Sequence, residues 1–144
     1  MKLSQHSVAG GPLAVGVYAA TYSWSSVLFA VASSVLMDLD HLPDYLYFRR
    51  GWHGTGDFFE VCHKGRLVKT FLVFYAWEWP LIIGASTLIG VGSSWLWPIG
   101  LGVFYHLAWD ALTNPVPASF YWILRRAFHG FRLAGFHLRA GAVR

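Results

Sequence analysis

From Val8 to Met37 the chain carries no Asp, Glu, Lys or Arg, and from Thr70 to Thr113 it carries only Glu78 and Asp110. Apolar runs of this length suit a lipid bilayer, where a helical span needs ~20 residues and its backbone must satisfy its own hydrogen bonds. Composition agrees: of 144 residues, 56% are hydrophobic, 18% aromatic and 12% charged, with a mean hydropathy of +0.44. A soluble domain usually carries roughly 25% charged residues. Disorder is excluded, because apolar surface to bury is plentiful. One cysteine excludes an internal disulfide framework and a four-cysteine zinc module. Lys2 precedes the first apolar run without a small-residue cleavage pattern, so no cleavable signal is expected. The reading is an integral membrane protein with a single domain over residues 1–144.

The net charge is +4, from eleven Lys and Arg against seven Asp and Glu. A basic total can mark nucleic-acid binding when it lies along soluble elements. Here the basic residues fall in three blocks, Lys2, Arg49 to Lys69 and Arg125 to Arg144, while the aromatics sit in the apolar regions. No nucleic-acid partner is expected. Positive residues flanking spans mark the cytoplasmic side, which places both termini and the middle block there, at the inner (cytoplasmic) membrane of a cell.

Ser23-Trp24-Ser25-Ser26 interrupts the first apolar region, and serine is a natural N-cap. This gives helices over about 6–22 and 26–42, although a single long tilted helix also fits the hydropathy. The hairpin returns both basic ends to one side of the membrane, and a single span does not. Pro43, Gly51, Gly54 and Gly56 break the next segment, and residues 55–64 read as an amphipathic helix at the membrane surface. Gly90-Val91-Gly92-Ser93-Ser94 divides the second apolar region into helices over about 67–89 and 95–113, ended by Asn114-Pro115-Val116-Pro117. Residues 118–134 read as a basic interfacial helix on the anionic leaflet. The expected fold is all-α: an integral membrane four-helix bundle of two helical hairpins, with interfacial amphipathic helices in the middle segment and at the C-terminus.

Ionisable groups inside spans are costly and are functional candidates. Asp38, Asp40, His41 and Asp44 cluster at the end of the second helix, His106 and Asp110 share one face of the fourth, and Glu78 lies on the third between Trp77 and Trp79. Counted from the turn at 24, His6 lies 18 residues away and Asp38 14; from the turn at 92, Glu78 lies 14 away and Asp110 18. At ~1.5 Å per residue these offsets put all four roughly 21–27 Å deep, in one layer near the cytoplasmic face. Mixed imidazole and carboxylate donors suit zinc, manganese or iron. Each group also has an ordinary structural use: a solvated helix end for the aspartates, a hydrogen-bonded pair for His106 and Asp110, interhelical glue for Glu78. His53, His129 and His137 read as exposed, His63 as interfacial, and Cys62 lacks a base that would make it a nucleophile.

Met37-Asp38-Leu39-Asp40-His41 and His106-Leu107-Ala108-Trp109-Asp110, the latter running through Ala111-Leu112-Thr113-Asn114 to Pro115, together with His6 ahead of the first helix, resemble a family of small bacterial and archaeal inner-membrane proteins. These are described as membrane-bound metal-dependent hydrolases (the DUF457 type). Met37 stands where the family has proline. Its middle histidine motif is matched only by His63-Lys64-Gly65, with Val68 in the place of the second histidine; Glu78, with Tyr75 three residues before it, is the other candidate. Depth favours Glu78 over His63, and with the residues that the resemblance matches the expected metal ligands are His6, Asp38, Asp40, His41, Glu78, His106 and Asp110, with Asp40, Glu78 and Asp110 available for catalysis.

The function expected is a hydrolase in which a divalent metal ion, Zn or Mn rather than Mg, activates water against an ester or phosphoester. A lipid-derived or other small-molecule substrate is expected at the cytoplasmic face, where Arg49, Arg50, Lys64 and Arg66 ring the site, with membrane lipid as its surroundings. The same carboxylates could form the pathway of a metal-ion or proton transporter, although the outer half offers little polarity beyond serines and Thr87. A non-catalytic membrane structural protein with a decayed metal site is the third reading.

Overall fold

The computed structural model describes residues 3–63, 67–91, 94–114 and 116–136, and it is mostly helical with no strand among them. Helices α1 (Leu3–Thr21) and α2 (Trp24–Leu36) turn back on each other at Tyr22 and Ser23, the break read from the sequence. Tyr22 takes φ +51° there, a left-handed turn. The Ser23 hydroxyl then caps α2 by accepting the Ser26 N–H at 3.4 Å. Leu13, Val17, Val27 and Ala30 close the two helices together.

The chain then tightens into a 3-10 turn at Met37–Asp40 and continues directly as α3 (His41–Arg49). Pro43 falls in the first turn of α3, where a missing N–H costs little. The helical path therefore runs on to Arg49 rather than stopping near 42, and ends where Arg50 turns left-handed at φ +57°. Trp24–Arg49 is long and apolar enough to cross a membrane, the one such stretch among the described residues. Helix α4 (Thr55–His63) packs back on α3 through Tyr45, Val61 and Leu67 with Phe58 and Cys62.

Helices α5 (Glu78–Leu88) and α6 (Leu96–Thr113) form the second half, and α6 is the central element, packed on both α2 and α5. Its buried face carries Gly102, Val103, His106, Leu107, Asp110 and Ala111. Gly102 lies against α2: a Cβ there would collide with the Ala30 carbonyl and the Ser33 hydroxyl. Ser33 Oγ reaches the Ile99 carbonyl at 3.2 Å, joining the helices at this crossing.

Two expected helices are corrected. The helix over 67–89 exists only from Glu78; residues 67–77 are irregular, with Leu72 at φ +44° although it is 2% exposed. The interfacial helix over 118–134 is instead a 3-10 turn at Ala118–Tyr121, a short α7 (Ile123–Phe128) and a second 3-10 turn at Leu133–Gly135. These two irregular segments hold each other. Thr70 N–H donates to Phe131 O at 2.9 Å, Trp77 N–H to Tyr121 O at 2.8 Å, and Lys69 bridges Arg132. Phe120, Tyr121 and Phe136 enter the same core as Leu72, Tyr75, Val103 and Leu107. Hydropathy does not register this exchange, because the groups that hold each segment lie far away in sequence.

Candidate functional site

Two groups of ionisable side chains gather at this core around the buried His106, Asp110, Asp44 and Arg126, with Tyr75 between them. The first gathers on His106, 1% exposed, one turn of α6 before Asp110, 2% exposed. Their spacing of four places both on the inner face. His106 Nε2 lies 3.5 Å from Asp110 Oδ2 and 3.6 Å from Oδ1 of Asp38, which reaches in from the 3-10 turn after α2. Tyr75, 2% exposed, places its hydroxyl 3.3 Å from the same nitrogen. Its ring stands edge-on to both His106 and His41, at 5.2 and 5.3 Å between centroids. Asp38 has a side chain 29% exposed and so opens this centre toward the surface. Oδ1 of Asp110 is buried without a hydrogen-bond partner among the described residues.

The second group surrounds Arg126, which is completely buried. Its Nη2 donates to the Tyr75 carbonyl at 3.0 Å, and its guanidinium lies over the Phe120 ring at 5.5 Å. Burial draws its pKa down, and the charges of Asp40, Glu78 and Asp44 oppose that. These carboxylates also satisfy irregular backbone. Asp40 Oδ2 accepts the N–H groups of Phe74 and Tyr75 at 2.8 and 2.9 Å, and Asp44 Oδ2 accepts that of Phe71 at 2.8 Å. Glu78 Oε1 accepts the Leu124 N–H at 3.2 Å. Asp40 and Asp44 thereby supply acceptors to segment 67–77 in its non-helical path, and Glu78 ties the start of α5 to α7.

The residues read from the sequence as one ligand set thus divide. Asp38, His106 and Asp110 come together, His41 reaches them across the Tyr75 ring, and Asp40 and Glu78 are engaged with backbone and with the field of Arg126. The side chains of His6 and His63 lie outside the described residues. Among those described, no three His, Cys, Asp or Glu side chains form a ready-made metal site on their own. Arg126 and Tyr75 complete the arrangement, and sequence reasoning missed the first: nothing in the tail distinguishes Arg126 from Arg125. The depth argument could have flagged Tyr75, three residues ahead of Glu78.

A third, surface group lies outside the core. Asp57 accepts from Tyr45 Oη at 2.6 Å and from Arg49 Nε and Nη2 at 2.9 and 2.8 Å. The Tyr45 hydroxyl, then Arg49, holds its carboxyl below the usual range. Arg49 is thereby committed to α4. Burial, with the charges of Asp38 and Asp44, pushes the Cys62 thiol up to about 12, and a protonated thiol is a weak nucleophile. An apolar groove of about 420 Å³ lies between α5 and α6, lined by Trp77, Leu81, Trp97, Phe104 and Trp122 among others, and none of the candidate ligands lines it. No family model, curated protein or solved structure matches this chain.

Proposed function

We propose that the chain is a multi-pass inner-membrane protein and a metal-dependent hydrolase, with its centre at Asp38, His106 and Asp110. The observation that carries this reading is the convergence of two carboxylates, Asp110 from the same helix and Asp38 from a motif far away in sequence, on the single buried imidazole nitrogen of His106. A membrane setting is supported by the apolar exterior. Leu28, Leu81, Ile82, Phe104 and Leu112 are all exposed, more large apolar surface than a soluble monomer presents. In this setting α1 with α2–α3, and α5 with α6, act as two hairpins with their turns on the far side.

A bound zinc or manganese ion would supply a water that loses its proton near neutral pH. His106, Asp38 and Asp110 would hold the ion, with the imidazole fixed by burial, Asp38 leaving one edge open to substrate and the Asp110 carboxylate available to take up a proton. The open edge suits an ester or phosphoester substrate, including a lipid-derived one, presented from the cytoplasmic face. Phosphoester and acyl-ester substrates assayed with Zn²⁺ and Mn²⁺ test this: hydrolysis by the wild type and its loss in Asp110→Asn is the expected result. Equal turnover by both overturns the role of Asp110.

A second reading, a structural protein with a decayed centre, draws support from the use of Asp40, Asp44 and Glu78 in holding the fold. Elemental analysis separates the two. Stoichiometric metal in the purified chain, lost in His106→Ala, favours the hydrolase.

A further inference from the structure

We infer that the chain carries a binding site for the headgroup of an anionic phospholipid, built by Arg50, Lys69 and Arg132. The inference rests on the membrane setting of the reading above and not on the hydrolase. Trp24–Arg49 covers 26 residues, which at ~1.5 Å per residue is roughly 39 Å. The hydrocarbon of a bilayer is ~30 Å thick, and about 40–45 Å with its headgroups. A stretch that starts at the turn before α2 therefore delivers Arg50, the residue that ends α3, to headgroup level on the opposite side.

Arg50 and Lys69 line one open cleft of about 620 Å³ together with Leu46, Tyr47, Phe48 and Val68, and none of its lining residues is acidic. All six are exposed. Two cations beside an apolar wall match the junction of phosphate and acyl chain in a phospholipid, and an exposed tyrosine is an ordinary anchor at that level. The third cation comes from the tail. Lys69 and Arg132 face each other across an antiparallel bridge, flanked by Thr70 N–H to Phe131 O at 2.9 Å and Leu133 N–H to Val68 O at 3.2 Å. Bonds on either side of the pair and none within it mark the kind of pairing that brings side chains closest, with Cβ atoms ~4.5–5.5 Å apart. Like charges placed directly opposite are destabilising. Among the described residues no carboxylate pairs with Arg50, Lys69 or Arg132, whereas the neighbouring Arg49 is engaged by Asp57. An anion held between them relieves the repulsion, and a phosphodiester of uncompensated charge is the anion that a membrane presents at this depth.

The test follows thermal unfolding of the full chain in detergent micelles that hold phosphatidylcholine, into which phosphatidylglycerol is titrated. A ligand that binds only the folded chain raises the melting temperature as its concentration rises. The wild type is expected to respond to phosphatidylglycerol and not to an equal addition of phosphatidylcholine. Lys69→Gln and Arg50→Asn, the latter tolerant of the left-handed turn, are each expected to weaken the apparent affinity about fivefold. Lys69→Gln combined with Arg132→Gln is expected to abolish the response yet to melt no lower than the wild type in phosphatidylcholine alone, because the opposed charges are gone. Arg125→Gln, which removes an exposed cation of α7 outside the cleft, is expected to respond as the wild type does. Equal response to both lipids, a full response in the double variant, or a loss as large in Arg125→Gln overturns the site and leaves the membrane setting standing. A double variant that melts lower in phosphatidylcholine alone overturns the repulsion on which the site is argued. A wild type recovered from the soluble fraction of broken cells overturns the membrane setting and the site with it.

Discussion

Asp57 carries its charge in the company of Tyr45 and Arg49, which favour the ionised carboxylate in the folded chain. A folded-state pKa below the unfolded value stabilises above the unfolded value, roughly pH 4, and that stabilisation is lost as pH falls through the folded one. Acidification is therefore expected to lower the melting temperature of the wild type more than that of Asp57→Asn, measured by thermal unfolding in detergent across that range. A parallel drop in both would remove the proposed linkage. Cys62 gives the opposite case, a thiol held protonated by burial. N-ethylmaleimide near pH 8, where an ordinary cysteine of pKa about 8.5 is partly ionised, is expected to leave the native chain unmodified and to react once sodium dodecyl sulfate unfolds it.

Among the elements, the crossing of α2 and α6 depends on Gly102, because a side chain would meet the Ala30 carbonyl and Ser33 hydroxyl of a packed neighbour. Gly102→Ala is expected to destabilise by about 1–3 kcal/mol, read from thermal unfolding, with Gly102→Val worse. An unchanged melting temperature would mean that the helices pass further apart than described. The helix α6 was legible in the sequence because Gly90 to Ser94 and Asn114-Pro115 bound its apolar run and His106 and Asp110 share one face, and Ser23 announced the turn before α2 through its capping chemistry. Neither irregular segment was legible. Residues 67–77 are apolar apart from Lys69 and Thr70, and what holds them out of a helix is the supply of carboxylate acceptors by Asp40 and Asp44, a long-range partnership that periodicity does not encode. An acidic residue in an apolar stretch has the same sequence signature whether it faces a cation or, as Asp40 and Glu78 do, accepts from a backbone N–H.

For the whole molecule, Arg126 is the counter-charge on which the second buried group depends. Arg126→Met removes the donor to the Tyr75 carbonyl and the positive charge that Asp40, Asp44 and Glu78 feel, and a lower melting temperature is expected. Stability equal to the wild type would show that the carboxylates are neutral or solvated. The proposed two-hairpin topology makes a separate prediction. In a Cys62→Ser background, a membrane-impermeant maleimide added to intact cells is expected to label Ser25→Cys and Val91→Cys at the two turns and to spare His129→Cys in the tail. Labelling of His129→Cys to the same extent would remove that topology.

The carboxylate grip on segment 67–77 has a practical consequence for anyone scanning this chain for essential positions. On the proposed function, a survey scored only by lost turnover would rank Asp40 and Asp44 alongside Asp110, although the first two would fail by misassembly and the last by chemistry. Quantifying the amount of protein that accumulates beside each score would separate the two populations.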